Sequence, residues 1–128
     1  MSGGAAICFL LGGIGAALPG DHFTLAWTHS VQKTEWQEDY SLRDGRLLLT
    51  EARIQGSGAG MDPPEGARLQ DGWWRYNPHL PPLPELRLTL SSFTAGYRIC
   101  VDGTCRALTS LLETPSEGVV SVQPCEEK

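Results

Sequence analysis

The sequence predicts an all-β fold, a single small antiparallel sandwich or partly open barrel built from hairpins, behind an N-terminal apolar leader. Three observations carry this. From Asp21 onward apolar and polar residues alternate with period two, the repeat of a half-buried strand. Two Asp-Gly dipeptides, Asp44-Gly45 and Asp102-Gly103, separate such runs, and Asp-Gly suits the two-residue type I′ hairpin, whose central residues both need positive φ. Breaks rich in Gly and Pro recur at the spacing of short strands.

The first twenty residues, MSGGAAICFLLGGIGAALPG, carry no charge and hold an apolar run from Ala5 to Leu18. That run is short of the roughly 20 residues of a spanning helix and suits the apolar region of a signal peptide. The usual positively charged start is missing and Leu18-Pro19-Gly20 is not a small-x-small cleavage site, so an uncleaved anchor is the alternative. A buried core helix is disfavoured by Gly12, Gly13 and Gly15, at about 1 kcal/mol each in a helix interior. Cys8 follows the branched Ile7, where lipid attachment needs a small residue, so it is not read as lipidated. Residues 1–20 are thus assigned to a signal peptide or membrane anchor, 21–114 to the β domain and 115–128 to a weakly ordered tail.

In the domain, Phe23, Leu25, Trp27 and His29 alternate with Thr24, Ala26 and Thr28 on a first strand. A polar connection over 30–34 leads to a second strand with Trp36, Glu38, Tyr40 and Leu42 on one face, and the turn at Asp44-Gly45 leads to a third over 46–54. A loop over 56–72 and a proline-broken stretch over 77–84 exclude continuous strands there. Residues 85–93 resume the alternation, and 96–101 with 104–108 flank the turn at Asp102-Gly103. Thr109 to Glu113 is a short helical turn or the end of a strand, and the tail adds at most a strand over 119–122.

The 128 residues, 41% hydrophobic and 20% charged, fit one folded domain and neither a disordered chain nor a polytopic membrane protein. The net charge of −5 is spread along the chain without a basic stripe, which excludes nucleic acid as a natural partner.

The Asp102-Gly103 turn places Cys100 opposite Cys105 as a non-hydrogen-bonded pair, where Cα atoms approach to about 4.5 Å and a cross-strand disulfide forms. A metal-binding pair lacks a second ligand set. Cys125 is then left unpaired in the tail and Cys8 in the leader. The segment from Trp27 to Trp36 gathers two Trp, His29, Ser30 and Lys33, a cluster able to hold an anionic or planar ligand, although singly each residue is more often a core or surface residue. Pairing through Asp44-Gly45 sets Trp36 opposite Arg53 and Glu38 opposite Glu51. Opposed carboxylates repel unless one is protonated, a cation lies between them or both point into water, and water is the expected answer.

Gly56-Ser57-Gly58-Ala59-Gly60-Met61 allows backbone N–H groups to form a nest around an anion, or is simply a tight connection. It lacks the Lys-Ser/Thr of a phosphate loop, and Asp62-Pro63-Pro64 follows where a dinucleotide fold needs a helix. His22, His29 and His79 lie in dissimilar contexts, so no nucleophile arrangement is specified. No catalytic residue, metal or cofactor is assigned.

Together, Trp27-Thr28-His29-Ser30-Val31 through Glu35-Trp36-Gln37-Glu38 and the glycine segment resemble the signature of a bacterial family, domain of unknown function 1850, over roughly Asp21 to Leu108. The motif singles out His29, Ser30, Glu38, Gly58, Ala59 and Gly60. The resemblance implies an exported protein, periplasmic or anchored facing the periplasm. Its implied partners are the membrane or solute-binding components of TRAP transporters of the TAXI type, and it carries no established activity. The reading is an accessory or binding protein with a ligand site at His29, Ser30, Lys33, Glu38, Ser57, Gly58, Ala59 and Gly60. Alternatives are a small hydrolase or metal-dependent enzyme using His29 and Glu38, and a structural envelope protein.

Overall fold

Among the described residues, four two-residue turns join neighbouring strands. In the computed structural model, which describes residues 4–28, 33–56, 65–90, 96–112 and 117–126, strands β1 (Ala5–Leu11) and β2 (Ile14–Pro19) meet at Gly12-Gly13. Strands β4 (Glu35–Arg43) and β5 (Arg46–Gln55) meet at Asp44-Gly45, β6 (Arg68–Gln70) and β7 (Trp73–Tyr76) at Asp71-Gly72, and β9 (Arg98–Val101) and β10 (Thr104–Ala107) at Asp102-Gly103. Both residues of every one of these turns have positive φ, from 50° at Asp102 to 83° at Gly13, Gly72 and Gly103, which matches the turn to the twist of its strands. The remaining elements are β3 (His22–Thr28), β8 (Leu86–Leu90), helix α1 (Leu108–Leu112) and β11 (Gly118–Glu126).

The strands form two antiparallel sheets, one of four strands in the order β2-β1-β11-β8 and one of seven in the order β10-β9-β3-β4-β5-β7-β6. They face each other as a sandwich and do not close into a barrel. Along one side the backbones of Leu47 and Leu83 exchange two hydrogen bonds of 2.7 and 2.8 Å. The core lies between the sheets: Ile7, Phe9, Leu88, Leu90, Val120 and Val122 from the smaller, Phe23, Leu25, Tyr40, Leu47, Leu49 and Ile99 from the larger, and Leu108 of α1. Phe9 meets Phe23 edge-on at 6.4 Å, and Phe23 stacks on Tyr40 at 5.3 Å.

The structure differs from the sequence expectation in five places, the first being that the segment 56–72, read as a loop without strands, holds β6, which pairs with β7 across the Asp71-Gly72 turn. The run assigned to a leader is a hairpin of the domain, with Ile7 and Phe9 wholly buried. Its glycines, unfavourable in a helix, supply the turn, and at Gly15 a Cβ would lie 1.7 Å from the Phe9 carbonyl oxygen of the facing strand. The segment assigned to a weakly ordered tail is β11, paired with β1 on one side and β8 on the other. Cys125 is not free: it is bonded to Cys8, with Cα atoms 5.9 Å apart, and ties the last strand to the first. Cys100–Cys105 forms across its turn as expected, Cα to Cα 4.0 Å. Finally, a β-bulge between Asp39 and Tyr40 shifts the register by one, so that Glu38 faces Ala52, Asp39 faces Glu51 and Trp36 faces Ile54.

Candidate functional site: a carboxylate on the apolar face

The alternation of β4 puts Trp36, Glu38, Tyr40 and Leu42 on one face, as expected, but that face turns toward the inside of the sandwich, so Glu38 is a carboxylate on an apolar face and does not point into water as the sequence suggested. Glu38 lies between Leu25 on β3 and Ala52 on β5, both buried. The Tyr40 hydroxyl donates to Glu38 Oε1 at 2.8 Å. Beyond Glu38 toward the end of the strand, Trp27 and Trp36 face each other across β3 and β4 and stack at 6.0 Å, while Tyr97 meets Trp27 edge-on at 5.9 Å. The Trp36 indole Nε1–H donates to Oγ1 of the buried Thr34 at 3.3 Å.

Burial pushes the Glu38 carboxyl above the usual glutamate range, and the Tyr40 hydrogen bond only partly offsets this. Burial, with the charge of Glu38 behind it, likewise raises the phenols of Tyr40, Tyr76 and Tyr97. One carboxylate therefore acts electrostatically on three tyrosines from three parts of the chain. Chemically the arrangement offers a single negative charge in a low-dielectric setting, flanked by aromatic faces.

The opposite face of the same sheet is polar. Arg53 grips Asp39 with both terminal nitrogens, at 2.6 and 2.9 Å, while its Nε donates to Gln37 at 3.1 Å and its Nη1 also reaches Glu51 at 2.7 Å. Thr24 donates to Asp39 at 2.7 Å. Burial raises the Asp39 carboxyl, but the hydrogen bonds from Arg53 and Thr24 outweigh it and hold the group below the usual aspartate range. The opposed carboxylates are thus Asp39 and Glu51, and a guanidinium between them, not water, resolves their repulsion.

A family model described as Domain of unknown function (DUF1850) matches residues 23–108, which include Glu38 and every strand of this sheet. The chain belongs to this family. No curated protein and no solved structure matches it. The DUF1850 match leaves β1, β2 and β11 outside, so three of the four strands of the smaller sheet come from beyond the matched segment.

Of the residues predicted to bind a ligand, Glu38 is placed as described and Lys33 is exposed, with φ of 60°, in the connection before β4. His29, Ser30, Ser57, Gly58, Ala59 and Gly60 lie outside the described residues. The strand ends that flank those segments are neighbours: Thr28 pairs with Glu35, whose backbone N–H donates to the Gln55 side chain at 3.3 Å. Sequence reasoning missed Tyr40, Tyr76 and Tyr97 as companions of Glu38. Only Tyr40, two residues along the same strand face, carried a signal that could have revealed it.

Proposed function

We propose that this DUF1850 protein is an extracytoplasmic binding protein, an accessory of a solute transporter, with its ligand site at the Glu38 end of the inner face. The observation that carries the reading is Glu38 itself, a carboxylate between the buried Leu25 and Ala52 with Trp27, Trp36 and Tyr97 beside it. A carboxylate held among apolar groups with one hydrogen bond from Tyr40 and no ion pair among the described residues costs stability, and a binding role accounts for its presence. A compact organic cation fits it best, because charge attraction and the faces of Trp act together on such a ligand. A second anion beside Glu38 is repelled, which argues against an anionic ligand at this end. The two disulfides support an oxidising compartment. The family resemblance supplies TRAP-type permease components as partners.

Intrinsic tryptophan fluorescence tests this, with choline, ethanolamine and putrescine as probes and succinate as the anionic control. Saturable quenching by at least one cation is expected, weakened about tenfold or more, some 1.4 kcal/mol, in a Glu38→Gln protein that melts no lower than the parent. No saturable change with any probe, or unchanged affinity in Glu38→Gln, would overturn the site and favour a structural envelope role.

A further inference from the structure

Across the polar face of the larger sheet the register sets three arginines abreast. Arg53 on β5 faces Arg75 on β7, and Arg75 faces Arg68 on β6. Like charges directly opposed across strands are destabilising, so each needs a partner. Arg53 is saturated by Asp39, Glu51 and Gln37. Among the described residues Arg75 has only a share of Glu51, through Nη1 at 2.8 Å to the same Oε1 that Arg53 uses. Its Nε–H is buried with no acceptor among the described residues. Arg68 makes no ion pair among the described residues. Two of the three guanidiniums thus share Asp39 and Glu51, and the one without an ion pair among the described residues, Arg68, lies at the β6–β7 edge.

That edge is concave. A cleft of about 410 Å³, within the range of small-molecule sites, is lined there by Arg68, Arg75, Glu51, Glu65, Asn77 and His79. With Nη1 of Arg75 engaged by Glu51, the edge of the guanidinium formed by Nε and Nη2 faces no acceptor among the described residues, and this is the edge that takes a planar oxyanion through two parallel hydrogen bonds. The Arg75 side chain is 30% exposed and lines the cleft. Glu51 and Glu65 on the cleft wall repel a dianion more strongly than a monoanion. Asn77 and Thr50, also on the cleft wall, offer hydrogen bonds to a hydroxyl.

We propose that this cleft, on the opposite face of the sheet from Glu38, binds a small hydroxylated monocarboxylate between Arg75 and Arg68. The test follows the ¹⁵N–¹H signal of the Arg75 side-chain Nε during titration of the whole chain with lactate, with acetate, inorganic phosphate and sodium chloride added separately at matched ionic strength. Lactate is expected to shift the signal saturably, more tightly than acetate or phosphate, and chloride to leave it in place. Arg75→Lys keeps the charge but lacks the two-donor edge, and Arg68→Gln lies on an exposed edge strand where folding is unaffected; each is expected to weaken lactate binding about tenfold, or about 1.4 kcal/mol. No saturable shift, an equal shift with chloride, phosphate binding tighter than lactate, or Arg68→Gln binding as the parent does would overturn the proposal.

Discussion

The two sheets of the sandwich are built from different parts of the chain and carry different kinds of chemistry. The seven-stranded sheet runs from His22 to Ala107, almost wholly inside the DUF1850 match, and bears Glu38 on one face and the arginine row on the other. The four-stranded sheet takes β1, β2 and β11 from the two ends of the chain and only β8 from the matched segment. It supplies Ile7, Phe9, Val120 and Val122, all wholly buried, against Phe23, Leu25 and Ile99 of the larger sheet. A sheet with one apolar face must bury that face against another layer. The family segment therefore holds the site residues but only part of the core, and the chain ends complete it.

Removing residues 1–20 breaks this comparison most severely. It deletes two strands of the smaller sheet together with Ile7 and Phe9, and the product is expected to show no cooperative thermal transition by near-ultraviolet circular dichroism. A truncated chain that melts cooperatively would show that the larger sheet stands alone.

The disulfides sharpen the contrast. Cys8–Cys125 closes a separation of 117 residues, whereas Cys100–Cys105 closes 5. By the loop-closure relation, replacing the first pair with serine costs up to about 5 kcal/mol and replacing the second about 2 kcal/mol. Urea denaturation of the two double variants measures both, and equal losses would mean that the long bond adds no more than the short one.

Within the larger sheet, Arg53→Met leaves Asp39 and Glu51 opposed without their cation. Because the carboxylates are about one-third exposed, the expected loss is about 2 kcal/mol, below that of a fully buried pair. The Asp39 carboxyl is held below its ordinary value of 3.8, so its contribution is present above that pH and is lost as pH falls through the folded value. The parent's advantage over Arg53→Met should shrink on that acid limb, which denaturation at several pH values reads directly.

Glu38 has the smallest expected effect and the opposite sign. Its pKa is raised above 4.5 on folding, so protonation-linked stability is full below 4.5 and is lost as pH rises through the folded value. Glu38→Gln should therefore gain about 1 kcal/mol at neutral pH and nothing below pH 4.5. A neutral-pH loss would mean that Glu38 stabilises the fold and has no need of a ligand.

What could be read from the sequence was what local chemistry determines. Asp44-Gly45 and Asp102-Gly103 specify their hairpins because the turn's own residues set φ, and Cys100–Cys105 follows by counting outward from such a turn. The common face of Trp36, Glu38 and Tyr40 follows from period two, whereas its inward direction does not, and the expectation that Glu38 points into water fails because the neighbouring Leu25 and Ala52 are buried. The one-residue slip at Asp39 did not show, because a bulge leaves the apolar pattern of β5 readable in either register until the partner strand is known. Cys8–Cys125 and the pairing of β1 with β11 depend on contacts between opposite chain ends, and an uncharged apolar run reads alike as a leader or a core hairpin. Tyr76 and Tyr97 join Glu38 only through the order of strands in the sheet.

Hydrogen exchange of the backbone amides of the full chain tests most directly whether the two sheets form one structure. Ile7, Phe9, Val120 and Val122 are expected to exchange with the same opening free energy as Leu25, Ala52 and Ile99, as members of one cooperative unit. Rapid exchange in β1, β2 and β11 beside protected amides in β3, β4 and β5 would contradict it, and would return the chain ends to the role of appendages on a self-sufficient sheet.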